Sequence, residues 1–284
     1  MSARDCLDQG HLTEAIRQLN DEVRQRPTDL ELRTFLFQLH AYAGDLTRAT
    51  KQLEVIRTQT QEAEYLNGLR VYQGLLDAEQ SRRNLFDKGV RPRFMMAPPD
   101  EVVAYLDALD LARGGDFTSA KARLDQAAST LQAARGQVDG MHFDDFRDAD
   151  DVLAPVLEVF TATGYYWVPW VHVQFLEVPA PKTLLDLLWA PAKLATFDGQ
   201  LGEVYLPSLY PLSASSNDDL IRLGRQTDWI EQDVGIVRGL GRKSFLVGEE
   251  LRTLHELSQV QFICDVEHAT ETALESTEPT GDPS

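Results

Sequence analysis

Six aspartates, Asp139, Asp144, Asp145, Asp148, Asp150 and Asp151, crowd one short stretch of the chain. Clustered carboxylates are the ligand type that hard divalent cations take. A calcium loop beginning at Asp148 needs glycine at its sixth position and glutamate at its twelfth. Leu153 and Val159 stand there, so that loop is absent. The plainer reading has Asp150 and Asp151 complementing the positive end of a following helix, with the other acids exposed. The six histidines, His11, His40, His142, His172, His255 and His268, form no His-Glu-x-x-His motif and no close pair. His172 is expected mid-strand, as hydrogen-bonded scaffold. Gly239-Leu-Gly241-Arg-Lys243-Ser244 has a phosphate loop's ingredients, but Arg242 occupies the place where the loop needs glycine before Lys-Ser. There is no Gly-x-Ser-x-Gly elbow. Cys6 and Cys264, the two cysteines, sit near opposite ends with no partners for a zinc site. The residues therefore nominate no catalytic, metal-ligating or cofactor-binding set.

Aromatic residues are the other candidates. Tyr165, Tyr166, Trp167 and Trp170 lie in one string, with Tyr210 and Trp229 further on. Stacking on nucleobases is one use of such rings. The charge argues against it: 27 Lys and Arg against 45 Asp and Glu give a net charge of −18. Such a chain is repelled by phosphate backbones and by anionic membrane surfaces. Core packing accounts for some of the rings. Strand alternation is expected to leave others facing outward, where Trp and Tyr anchor protein partners. On that ground Tyr166, Trp167, Trp170, Tyr210 and Trp229 are the candidate protein-binding residues.

The elements that hold these residues fall into two kinds. In the first half the pattern Gly-x-[Leu/Phe]-Thr-x-Ala-x-x-x-Leu occurs at Gly10–Leu19, Gly44–Leu53 and Gly115–Leu124. Gly10 and Gly44 are 34 residues apart, the tetratricopeptide period, and Gly115 lies 71 residues beyond Gly44. Glycine closes one helix, threonine caps or starts the next, and alanine lets the two approach. Apolar stripes at helical spacing, such as Leu12-Ala15-Ile16-Leu19-Val23 and Leu46-Ala49-Leu53-Ile56, support hairpins over 1–80 and another over 100–134. Residues 81–99 are expected to be a basic linker carrying Arg82, Arg83, Lys88, Arg91 and Arg93. It either balances nearby acids or docks an acidic partner, and binds no nucleic acid.

Beyond Gly136 the composition turns aromatic and proline-rich. The apolar spacing predicts one more helix over 151–163, then strands over 165–170 and 171–178, and a short helix from Thr183 stopped by Pro191. Further strands are expected at 203–206, 235–237, 244–247 and 260–266, with a hairpin turn at Gly239 and Gly241. The fold class is thus a multidomain α and β chain: an N-terminal tetratricopeptide-like helical solenoid (1–135), then an α+β domain with a mainly antiparallel sheet (136–266). A disordered acidic tail is expected over 267–284. No signal peptide and no membrane-length apolar run is evident, so the expected location is cytoplasmic.

Specific blocks fall in a recognisable order: Asp148-Ala-Asp150-Asp151, Leu157-Glu158, Gly164-Tyr-Tyr166-Trp-Val-Pro169, Leu185-Asp186-Leu-Leu-Trp189-Ala-Pro191, Tyr210-Pro211, Leu223-Gly224-Arg225-Gln-Thr227-Asp-Trp229 and Gly239-Leu-Gly241-Arg242. With them the chain resembles the ImpE/TagJ (SciE-type) family of type VI secretion accessory proteins, over about Leu12 to Phe262. The resemblance implies an adaptor without catalytic residues. Its implied partner is the small subunit of the contractile sheath, bound through that subunit's N-terminal helix, with a ClpV-type unfoldase as a second associate. The competing reading is a small hydrolase or transferase in the C-terminal domain. That reading needs a paired acid and base, which the sequence does not display. A tetratricopeptide scaffold unrelated to secretion is the third.

Overall fold

A computed structural model of the chain describes residues 2–264. Seven helices come first: α1 (Ala3–Asp8), α2 (Leu12–Gln25), α3 (Leu30–Tyr42), α4 (Leu46–Gln59), α5 (Ala63–Lys88), α6 (Asp100–Arg113) and α7 (Phe117–Thr130). The Gly-x-[Leu/Phe]-Thr signature marks the turn inside each of the hairpins α1/α2, α3/α4 and α6/α7. Gly10, Gly44 and Gly115 close the leading helices at φ of 85°, 71° and 85°, a region that suits glycine. The cap is not the threonine but the residue two before it. Asp45 and Asp116 accept from the backbone N–H of Arg48 and Ser119. His11 holds that place in the first repeat and makes no cap. The 26-residue α5 is longer than any repeat helix.

The strands follow: β1 (Gly136–Val138), β2 (Met141–Phe143), β3 (Phe146–Asp148), β4 (Val156–Thr161), β5 (Gly164–Pro169), β6 (Val173–Glu177), β7 (Trp189–Thr196), β8 (Leu201–Pro207), a one-turn helix α8 (Asp219–Arg222), then β9 (Thr227–Gln232), β10 (Ile236–Gly241), β11 (Ser244–Val247), β12 (Glu250–Thr253) and β13 (Gln259–Phe262). Eight of them form one sheet in the order β2-β1-β13-β6-β7-β8-β4-β5, with β12-β11-β3 and β10-β9 beside it. Every pairing between these strands is antiparallel. Helices before a mainly antiparallel sheet is the architecture the sequence predicts. The expected tail over 267–284 lies outside the described residues.

Five local expectations are overturned. Residues 151–163 form no helix: after a turn, Val156–Thr161 is strand β4, buried from Val156 through Phe160. A short apolar run buried on both faces satisfies helical and strand templates alike, and here the sheet wins. With no helix to follow, Asp150 and Asp151 cap none. Gly239 and Gly241 lie inside β10 rather than in a hairpin turn. Pro191 lies within β7, so the segment from Thr183 holds only a 3₁₀ turn, Leu185–Leu187. His172 ends another 3₁₀ turn between β5 and β6. The basic linker begins late, because Ser81–Lys88 is the last part of α5.

Two cores divide the molecule. One joins the helical hairpins to the face of β4 and β5 that carries Val156, Phe160, Tyr165 and Trp167. The other lies behind the sheet around Leu157, Val159 and Val168. There Phe143, Phe146, Trp170, Phe245 and Phe262 pack ring to ring at 4.7–5.8 Å between centroids.

Candidate functional site

Period-2 alternation along β4 puts Glu158 on the same face as Val156 and Phe160, toward α5, where a lone carboxylate must find cations. Arg82 of α5 supplies one. Its Nε and Nη2 donate to the two Glu158 oxygens at 2.8 and 2.6 Å, and Nη2 also reaches the Leu209 carbonyl at 2.9 Å. Lys243, between β10 and β11, lies 3.0 Å from Glu158 and 2.6 Å from Asp148. Asp148 also accepts from the Tyr210 hydroxyl and the Asp150 N–H. Asp150 in turn takes Arg238 Nε at 2.8 Å and the N–H groups of Val152, Leu153 and Gly239. Arg238 lies over the Phe86 ring of α5. Tyr165 donates to Glu158 at 2.6 Å and accepts from the Trp167 indole.

Three buried cations thus face three buried carboxylates, and all six carboxylate oxygens are engaged. Burial pushes the Glu158 pKa up, but Arg82 and Lys243 outweigh it and hold the carboxyl well below its ordinary value. Burial raises Asp148, with Lys243 pulling back. Burial, then the neighbouring Glu158 charge, raises Tyr165 well above the usual phenol range. The carboxylates of the lattice are thus spent on one another's cations, and the lattice ties α5 to the sheet. Among the described residues no group of three His, Cys, Asp or Glu side chains is placed to hold a metal ion. His172 and His255 have pKa values lowered by burial.

The aromatic candidates divide unevenly. Trp167, Trp170 and Tyr210 are buried at 0%, 3% and 1% exposure, which corrects the expectation that they face a partner. Trp167 points from β5 into the core shared with the helices, Trp170 packs in the phenylalanine cluster just past the strand, and the Tyr210 hydroxyl is held by Asp148 and the Ser244 carbonyl. Tyr166 and Trp229 are half-buried. The Tyr166 hydroxyl bonds Thr163 Oγ1, and the Trp229 ring packs on Tyr210 at 5.7 Å. The arginines of 81–99 are engaged internally as well. Arg82 is in the lattice, Arg83 bonds the Gly44 carbonyl, Arg91 bridges Asp107 and Asp110, and Arg93 bonds the Thr163 carbonyl. Arg93 also forms a parallel bridge to Tyr166, covering the outer edge of β5.

An open, largely apolar feature that the sequence reading missed lies elsewhere, in the helical half. Between α3, α4 and α5 a cavity of about 340 Å³ has a floor of Phe37, Leu53 and Ile56. Tyr65, Leu69 and Tyr72 of α5 form its sides, and Gly68 stands among them.

Comparison with known proteins agrees with this architecture. The ImpE protein family model matches residues 140–261. The type VI secretion system accessory component TagJ of Pseudomonas aeruginosa PAO1 is 33% identical over 262 residues, covering 92% of this chain and 91% of that protein. The crystal structure of protein VPA1032 from Vibrio parahaemolyticus superposes with a TM-score of 0.85 at 27% identity, covering 94% of this chain and 99% of that one. With a relative this similar over nearly its whole length, and the lattice carboxylates Asp148, Asp150 and Glu158 lying in the blocks that suggested it, the chain belongs to the ImpE/TagJ family of type VI secretion accessory proteins.

Proposed function

We propose that the protein is a non-enzymatic cytoplasmic adaptor of a type VI secretion system. It binds the small sheath subunit through that subunit's N-terminal amphipathic helix and links it to the ClpV-type unfoldase that recycles contracted sheath. The observation that carries this reading is a division of labour in the molecule. The buried carboxylates Asp148, Asp150 and Glu158 are saturated by neighbouring cations and backbone N–H groups, whereas an open, largely apolar concavity lies on stacked helices, a surface suited to a helix laid in a groove. The net charge of −18 favours a ligand helix with Lys or Arg on its flanks and speeds its capture at low salt.

The test is titration of a labelled peptide from the N-terminus of the same organism's small sheath subunit, with pull-down of the unfoldase in the presence and absence of sheath. Saturable binding that weakens with salt is expected. No binding, with the sheath subunit also missing from pull-downs, ends the proposal. Reproducible turnover in a broad hydrolase and phosphatase screen, lost on Ala substitution at Asp148, Asp150 or His172, would replace it with the enzyme reading.

A further inference from the structure

Taking the adaptor role as given, we infer that the cavity beside Gly68 is the anchor pocket for the captured helix, and that it takes a bulky apolar residue flanked by lysine or arginine. Gly68 lies well inside α5, where glycine weakens a helix relative to alanine. A Cβ built on it meets nothing within 4 Å, so no close contact within the chain requires glycine there. What the missing side chain leaves is space, and that space opens into an apolar cavity of about 340 Å³. A cavity of about 150 Å³ already accepts benzene, so this one has room for a large aliphatic or aromatic side chain.

The walls are set in advance. The Tyr65 hydroxyl is 2.7 Å from Thr34 Oγ1, and the Tyr72 ring packs on Phe37 at 5.4 Å. Charge selects the occupant. The charged residues lining the cavity itself are Glu62 and Glu64, both exposed, while Arg57 and Arg70 line the adjoining groove that shares Leu53 and Leu69 with it. An anchor flanked by cations gains there, and one flanked by acids is repelled.

The experiment compares wild type with Gly68→Leu, Gly74→Leu and the double variant Glu62→Lys/Glu64→Lys, titrating each with the labelled N-terminal peptide of the small sheath subunit. Gly74 is the control. A Cβ there also meets nothing within 4 Å, but the residue is outside the cavity wall. Gly68→Leu fills the pocket from inside and is expected to weaken binding at least ~30-fold, the loss typical of a central anchor. Its thermal stability should equal or exceed that of wild type. Gly74→Leu should bind within about twofold of wild type, and the charge-reversed variant should bind more weakly and depend less on salt. Wild-type binding that Gly68→Leu leaves intact overturns the pocket assignment alone. Equal loss in both leucine variants overturns it too, since α5 itself would then be the cause. No binding by wild type removes the adaptor reading and the pocket with it.

Discussion

Replacing Arg82 by methionine keeps an apolar stem on α5 and deletes one buried cation. Glu158, whose side chain is 0% exposed, then keeps only Lys243 at 3.0 Å and the Tyr165 hydroxyl, while Lys243 must also serve Asp148. Two charge-assisted bonds to Glu158 and one to the Leu209 carbonyl disappear. Breaking a buried pair from one side costs about 3–5 kcal/mol, because the surviving charge stays in low dielectric without its partner. At roughly 2–4 °C per kcal/mol for a domain of this size, Tm should fall by about 6–20 °C. Glu158→Leu alone should cost a similar amount, as it strands Arg82. The double variant Arg82→Met/Glu158→Leu removes both charges and leaves the Lys243–Asp148 pair balanced. It should therefore cost only what the orphaned Tyr165 hydroxyl and Leu209 carbonyl cost, about 1–3 kcal/mol each. A thermodynamic cycle from thermal and urea unfolding measures the coupling. A single variant within ~1 kcal/mol of wild type, or a double variant equal to the sum of the singles, would refute a charge-coupled joint.

Three other outcomes are expected. Asp219→Ala should lower stability by about 1 kcal/mol in thermal unfolding, because the Asp219 carboxylate accepts from Thr13 N–H and hydroxyl and supplies the cap that His11 does not. Gly239→Ala should destabilise by ~2 kcal/mol or more, since its Cβ would stand 2.3 Å from the buried Tyr210 ring; Tm near that of wild type would refute the packing described. Burial holds the pKa of His40, His172 and His255 below the ordinary 6.5, so the unfolded chain takes up protons first. Stability measured against pH should thus be full above about pH 6.5 and fall below it, with a second fall below about 4.5 from Glu158, and His40→Gln should flatten the first.

The helical hairpins were legible because their signal is local. A glycine at positive φ and a 3.6-residue stripe lie within one turn of each other, although the cap expected of threonine falls to the aspartate two residues earlier in α4 and α7. The lattice was not legible, because its members come from far apart in the chain: Arg82, Asp148, Glu158, Arg238 and Lys243 meet only once α5 packs on β4. One clue was present. Glu158 interrupts Val156–Phe160, and a carboxylate inside a run apolar on both sides implies a buried cation somewhere. Taking 151–163 as a helix hid that clue, since a helix would have let Glu158 turn to solvent. Reading Ser81–Lys88 as linker hid its partner. Three aromatic candidates failed for a related reason: Trp167, Trp170 and Tyr210 are buried by partners distant in sequence, the helices, the phenylalanine cluster and Asp148, which alternation within one strand does not reveal.

The same contacts bear on what kind of repeat array this is. In an ordinary solenoid each repeat leans on its neighbours alone. Here the turn ends of the hairpins are completed by the C-terminal half. Asp219 caps α2, Arg225 bonds the Asp8 carbonyl at the end of α1, and Arg222 reaches the Ala43 carbonyl at the end of α3. The Tyr42 hydroxyl donates to the Leu184 carbonyl, and Arg82 ties the middle of the array to β4. Held at these turn ends and at Arg82, the array is anchored to the C-terminal half along one side instead of leaning on its own repeats alone. That anchoring gives the family's Arg225-Gln-Thr227 and Gly239-Leu-Gly241 blocks a physical role: they shape the joint that holds the helices, at a distance from the surface where the anchor pocket lies.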